Sequence, residues 1–153
     1  MKKQTKYLLG IGALIIVLVA AVFVYNAQKT TSFKKLITDK INVNEISAIY
    51  ITQRSSGEEV RQDEIKIEDR EKINKLMAEF NKLDLKSAHD GKIKLVPYTY
   101  TIRIYVNREA RFGIDIFNKF NISLYDSSKT KNRLREYSTN NGEIISKLEN
   151  YFK

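Results

Sequence analysis

Tyr98-Thr99-Tyr100-Thr101-Ile102-Arg103-Ile104-Tyr105-Val106 alternates with a period of two. Successive side chains of a strand point to opposite faces. Tyr98, Tyr100, Ile102, Ile104 and Val106 therefore share one face, and Thr99, Thr101, Arg103 and Tyr105 the other. The pattern then repeats. Asn107-Arg108-Glu109 turns the chain, and Phe112, Ile114 and Ile116 alternate with Arg111, Gly113 and Asp115. Asn118-Lys119 turns it again, and Phe120, Ile122 and Leu124 alternate with Asn121, Ser123 and Tyr125. Short turns between such strands predict an antiparallel meander with one apolar face. Lys131 to Tyr137 can add a further strand.

Upstream, Ile46 to Gln53 is rich in strand formers. Arg54-Ser55-Ser56-Gly57 reads as a turn and Glu59 to Ile67 as a second strand, which together predict a hairpin. The period then changes. Ile73, Leu76, Met77, Phe80 and Leu83 recur at helical spacing, with Lys72, Lys75, Glu79 and Lys82 opposite them. Asp69 suits the N-cap and Glu71 the first turn of that helix. Asp90-Gly91 marks another turn. At the C-terminus Asn140 and Glu143 have the spacing of a capping box, followed by Ile144, Ile145, Leu148, Tyr151 and Phe152 as a second helical stripe. The predicted order is β-β-α-β-β-β-(β)-α, an α+β domain with two helices on one face of an antiparallel sheet.

The N-terminus is of another kind. Lys2, Lys3 and Lys6 precede an uncharged apolar run from Leu8 to Tyr25. At about 1.5 Å of rise per residue, residues 7–25 as a helix would cross roughly the 30 Å hydrocarbon core of a bilayer. The lysines before the run predict a cytoplasmic N-terminus. A cleaved signal peptide has an apolar region of only about 7–15 residues followed by small residues; this run is longer, and Tyr25 stands where a small residue is wanted. The expected organisation is a cytoplasmic tail at 1–6, a transmembrane signal anchor at 7–25, a stalk at 26–44 and an extracytoplasmic domain at 45–153. The expected location is the cell membrane, spanned once, with the C-terminal domain outside and the bilayer as partner of residues 7–25.

Composition narrows the chemistry. The 153 residues carry a net charge of +9 and no cysteine, so disulfides, thiol nucleophiles and Cys-based metal sites are excluded. Glu58, Glu59, Asp63, Glu64, Glu68 and Asp69 interrupt the basic residues, unlike the concentrated basic face of a nucleic-acid binder. No Gly-rich phosphate loop, calcium loop or other cofactor signature is present. His89 is the single histidine and lies beside the Asp90-Gly91 turn, which offers a sensor of external pH as one reading. Adjacent acidic pairs on a strand point to opposite faces and make poor paired acids. Carboxylates assembled only by folding, with Asp63, Asp115 and Asp126 as the acids to inspect, remain an envelope-hydrolase alternative. The principal expectation is a non-enzymatic binding or accessory module with no catalytic residue, metal or cofactor. Its candidate surface is the second face of the meander, presenting Arg103, Tyr105, Arg111, Phe117 and Tyr125, since Arg and aromatic residues are enriched at interaction hot spots. Cross-strand stabilisation of the sheet is the competing account of the same residues. An envelope protein or cell-wall polymer is the expected partner, and nucleic acid is not.

Four segments carry a resemblance: Glu45 to Ile51, the helix Asp69 to Leu83, the strand Tyr98 to Tyr105, and Tyr137 leading into Asn141-Gly142-Glu143-Ile144-Ile145. In these the chain resembles small membrane-tethered extracytoplasmic proteins of Gram-positive bacteria with an uncharacterised α+β domain. Many of those look like lipoproteins; this chain departs by lacking the anchoring Cys. The resemblance covers roughly residues 45–153 and implies a surface domain on a membrane tether, with no established catalytic residues.

Overall fold

A computed structural model describes residues 14–22, 30–55, 62–88, 98–139 and 141–153. The chain divides into two compact units, Met1–Thr30 and Thr31–Lys153. In the first, residues 14–22 form helix α1, with Leu14, Ile15, Ile16, Val17, Leu18, Val19 and Val22 all exposed. Among the described residues no helix is long and apolar enough to cross a membrane. The remainder of the expected 7–25 span lies outside the described residues, as do the turn at Arg54–Gly57 beyond Ser55, His89, the Asp90-Gly91 turn and Asn140.

The second unit is α+β, built on one eight-stranded antiparallel sheet. Its strands are β1 (Thr30–Ser32), β2 (Ile46–Ser55), β3 (Gln62–Ile67), β4 (Asp84–Ser87), β5 (Tyr98–Val106), β6 (Glu109–Ile116), β7 (Asn121–Asp126) and β8 (Leu134–Ser138). The helices are α2 (Phe33–Leu36), α3 (Arg70–Phe80) and α4 (Glu143–Glu149), with single 3-10 turns at Thr38–Lys40 and Val43–Glu45. Strand order is β1-β4-β8-β7-β6-β5-β2-β3. The expected hairpin is β2–β3 and the expected meander is β5 to β8. Strands β1 and β4 were not expected. They are three and four residues long, too short to show alternation, and β4 is held by pairing Lys86 with Ser138 and Ser87 with Tyr137 far along the chain.

One sheet face is a grid of apolar side chains. In register across the strands run Ile65, Ile51, Ile102, Ile114 and Leu124, and beside them Ile67, Ile49, Ile104 and Phe112. A bulge between Ile46 and Ala48 shifts the parity of β2, so Ile46 joins Ile49 and Ile51 in the core. Onto this grid α3 lays Ile73, Leu76, Met77 and Phe80, the stripe read from the sequence, and α4 lays Ile144 and Leu148. Asp69 caps α3 as expected, accepting from the Lys72 N–H at 2.8 Å. The cap of α4 differs from expectation: Gly142 is its N-cap, and Asn141 Oδ1 takes the Glu143 N–H at 3.1 Å. Between β5 and β6, Asn107 (φ 52°) and Arg108 (φ 69°) both adopt the left-handed region. A two-residue hairpin needs that conformation to match strand twist, and Asn tolerates it better than Arg.

The segment read as a stalk enters the core. Phe33 and Ile37 are fully buried, and the Phe33 ring stacks on Phe80 at 4.9 Å between centroids. The Phe33 N–H donates to Leu83 O, Thr38 Oγ1 donates to Asn81 Oδ1, and Arg70 Nη1 donates to the carbonyls of Val43 and Ile46. The compact unit thus begins at Thr31 rather than at residue 45, because an apolar pair at Phe33 and Ile37 is enough to dock a short turn against α3. Phe33→Ala should therefore destabilise the unit by about 3–5 kcal/mol. Chemical denaturation checks this, since truncation in a solvated linker would leave the midpoint unchanged.

Candidate functional site

The helices pack on the Ile-rich face; the opposite, open face exposes Tyr125 and part of Tyr50, Arg103 and Tyr105, with Thr52 and Ser123 buried between their neighbours. That open face is ordered in rows by strand register. Lys66, Tyr50, Arg103, Gly113, Tyr125 and Leu134 face one another in sequence from β3 to β8. The neighbouring row is Glu64, Thr52, Thr101, Asp115, Ser123 and Glu136. One row is cationic and aromatic, the other hydroxylic and acidic.

Arg103 sits at the junction. Its Nη1 donates to Asp115 Oδ1 and to the carbonyl of Ile102, each at 3.1 Å. It lies over Gly113, where an added Cβ would stand 2.9 Å from Nη1 and 3.3 Å from Tyr125 Cβ. The glycine thus leaves the space over β6 in which the guanidinium lies on its way to Asp115. Tyr105 packs against Tyr50 with centroids 5.1 Å apart, and the Lys66 ammonium is 5.7 Å from the Tyr50 ring centre. Glu68 raises the Lys66 pKa by accepting a hydrogen bond from its ammonium. Tyr125 is 38% exposed and Leu134 is 56% exposed.

Of the five residues read from the sequence, Arg103, Tyr105 and Tyr125 share this surface. Phe117 is half-buried just past β6, its N–H donating to Asn121 O. Arg111 goes elsewhere. Ile104 pairs with Phe112 but Tyr105 pairs with Ala110, so Arg111 is the extra residue of a bulge. A bulge re-aims its side chain, and the guanidinium bonds Asp126 Oδ1 at 2.5 Å, 4.6 Å from the Phe112 ring centre. Tyr50, Lys66 and Gly113 also belong to the surface and are not singled out from sequence, and Asp115, named there only as a hydrolase acid, joins them. Tyr50 did alternate with Ile49 and Ile51, but its position beside Arg103 depends on the non-local β2–β5 pairing.

Among the described residues Asp126 is the carboxylate with the most ion-pair and hydrogen-bond partners. Its side chain is 10% exposed and takes Arg111, Lys40 Nζ at 3.4 Å and Lys129 Nζ at 3.9 Å. It also accepts from the Ser128 hydroxyl at 2.8 Å and the Ser128 N–H at 3.2 Å. Burial alone would raise its pKa; the bonds from Ser128 and Arg111 and the Arg111 charge outweigh burial and hold it below the usual carboxylate range.

The three acids of the hydrolase alternative do not converge. Asp115 and Asp126 lie on opposite sheet faces, since their partners Ser123 and Phe112 differ in parity along the β6–β7 ladder. Asp63 on β3 is four strand steps from Asp126 on β7, roughly 19 Å at about 4.8 Å per step. Glycosidase pairs stand at most about 10 Å apart. Among the described residues no group of three His, Cys, Asp or Glu side chains is placed to hold a metal ion.

A lowered carboxylate pKa ties stability to pH. The ionised Asp126 is favoured in the folded state, so its contribution is complete above about pH 4, the unfolded value, and is lost as pH falls through the folded value. Acid denaturation midpoints should therefore show a stability loss below about pH 4 that Asp126→Asn flattens. No family model, no curated protein and no solved structure matches this chain.

Proposed function

We propose that this chain is a membrane-tethered, extracytoplasmic binding module of the bacterial cell envelope that acts without catalysis. The observation that carries the binding role is the open sheet face, where Lys66, Tyr50, Arg103 and Tyr125 stand in one register row with Gly113 leaving room for the guanidinium. Broad aromatic surfaces flanked by cations bind by area and charge, and a rigid strand scaffold costs little entropy to order. The failure of Asp63, Asp115 and Asp126 to converge favours binding over envelope hydrolysis.

The tether rests on the N-terminal run. Residues 14–22 are helical with every described side chain exposed, and none is charged. A helix apolar on all sides finds its partner in a lipid or protein interior rather than in water. The lysines at 2, 3 and 6 orient it with the N-terminus inside, which leaves Thr31–Lys153 outside. The resemblance to tethered Gram-positive surface domains points the same way, and an envelope protein or cell-wall polymer is the partner class that such a location supplies.

Two measurements test this. Protease added to intact cells should remove the C-terminal unit; full protection would overturn the topology. In pull-downs from envelope fractions, Arg103→Ala should weaken capture of the partner by about 2 kcal/mol, roughly thirtyfold. Gly113→Ala should do the same by displacing the guanidinium while leaving every charge in place. Capture unchanged by both would remove the open face from the function.

A further inference from the structure

A second surface lies on the Ile-rich side of the sheet, at the Phe112–Asp126 end of β6 and β7, and meets the open face at Tyr125. A depression there is lined by Lys40, Lys129, Arg133 and Arg135, with Asp126 the single carboxylate among its lining residues. Arg111 reaches Asp126 from β6 and makes a fifth cation. The cations arrive from four segments: the turn after α2, the β6 bulge, the β7–β8 loop and β8. The floor is apolar, made by Phe112 and Leu124.

The loop that carries two of them is built rather than loose. The Asp126 N–H donates to Arg133 O at 2.9 Å, the Lys129 N–H to Asp126 O at 3.3 Å, and Arg133 Nε to Lys129 O. Asn132 completes the turn at φ 52°. Asp126 therefore does two things. It orients Arg111, Lys40 and Lys129, and it neutralises one charge of five. The rest is uncompensated within the depression. Lys129 registers the excess: burial, then Lys40 and Arg135, depress its pKa against the pull of Asp126. A scaffold that only needed an ion pair would be complete with Asp126 and Arg111. Four further cations around one carboxylate leave an excess of positive charge that a multiply charged anion would fill.

We propose that this depression binds a phosphate group, with Lys129 and Arg135 as its principal ligands and Arg111 held in place by Asp126. Phosphate suits it because several oxygens can each meet a different cation, and Arg presents a fork to two of them. The proposal is independent of the reading of the open face. The phosphate could be a free ion or the headgroup of an anionic lipid, and the two sources separate experimentally.

The full chain in non-ionic detergent is titrated calorimetrically at constant ionic strength with inorganic phosphate, and separately with soluble dihexanoyl phosphatidylglycerol. Saturable binding is expected, weakened at least about tenfold, about 1.4 kcal/mol, by Lys129→Ala with Arg135→Ala. It should be unaffected by Lys72→Ala with Lys75→Ala, which removes the same charge from the exposed side of α3. Tighter binding of the lipid than of inorganic phosphate, with competition between them, assigns the site to a headgroup; phosphate binding that the lipid does not displace assigns it to a free ion. Absence of saturable binding by either probe, or equal loss in both double variants, would overturn the proposal. Thermal midpoints of the variants, expected to match the parent, separate lost binding from lost folding.

Discussion

The structure depends on the burial of one isoleucine-rich sheet face. Ile49, Ile51, Ile102, Ile104 and Ile114 are fully buried where β2, β5 and β6 meet, and each β-branched side chain both favours the extended backbone and fills the pleat. Each such side chain contributes roughly 1.5–3 kcal/mol of burial. That term decides the register, because a slip by one residue would expose the whole set. The register in turn decides what stands on the opposite face. The row from Lys66 to Leu134 is in this sense a by-product of packing on the other side.

The two bulges show where regular alternation gives way to local need. In β2 the irregularity at Ile46 and Ala48 brings an additional isoleucine inward where the chain enters from the 3-10 turn. In β6 it releases Arg111 from the surface row and delivers it to Asp126. One carboxylate then gathers cations from segments that are distant in sequence: Lys40 lies 86 residues before it, Arg111 15 before. A largely buried charge is tolerated only when paired and hydrogen-bonded, and Asp126 has both kinds of partner. Its neighbourhood is consequently ordered, and ordered with an excess of positive charge.

The docked segment at 31–44 changes the outline of the unit. Phe33 closes the core from below α3 through its stack on Phe80, and Ile37 follows one turn later. The polar composition around them, with Thr30, Thr31, Lys34, Lys35 and Lys40, reads as a linker. Composition reports the solvated majority of a segment, whereas docking is decided by the one or two apolar side chains that find a groove. The same limit hid β1 and β4, whose few residues take their conformation from neighbouring strands rather than from any pattern of their own.

Strong local periodicity was legible without coordinates: the alternation of β5, β6 and β7, the stripe Ile73–Leu76–Met77–Phe80 and the Asp69 cap all lie within one element, where side-chain spacing and backbone geometry determine each other. The apolar run after Lys6 and the absence of cysteine were equally plain. Of the open face, Arg103, Tyr105 and Tyr125 could be assigned to one side by parity alone. What only tertiary structure decided was adjacency across the chain. Tyr50 stands beside Arg103, Gly113 makes space for its guanidinium, Arg111 departs to Asp126, and Lys40 joins it. These depend on strand order and on a single extra residue in β6, which are set by the summed burial of the whole sheet. No local stretch of sequence contains that sum.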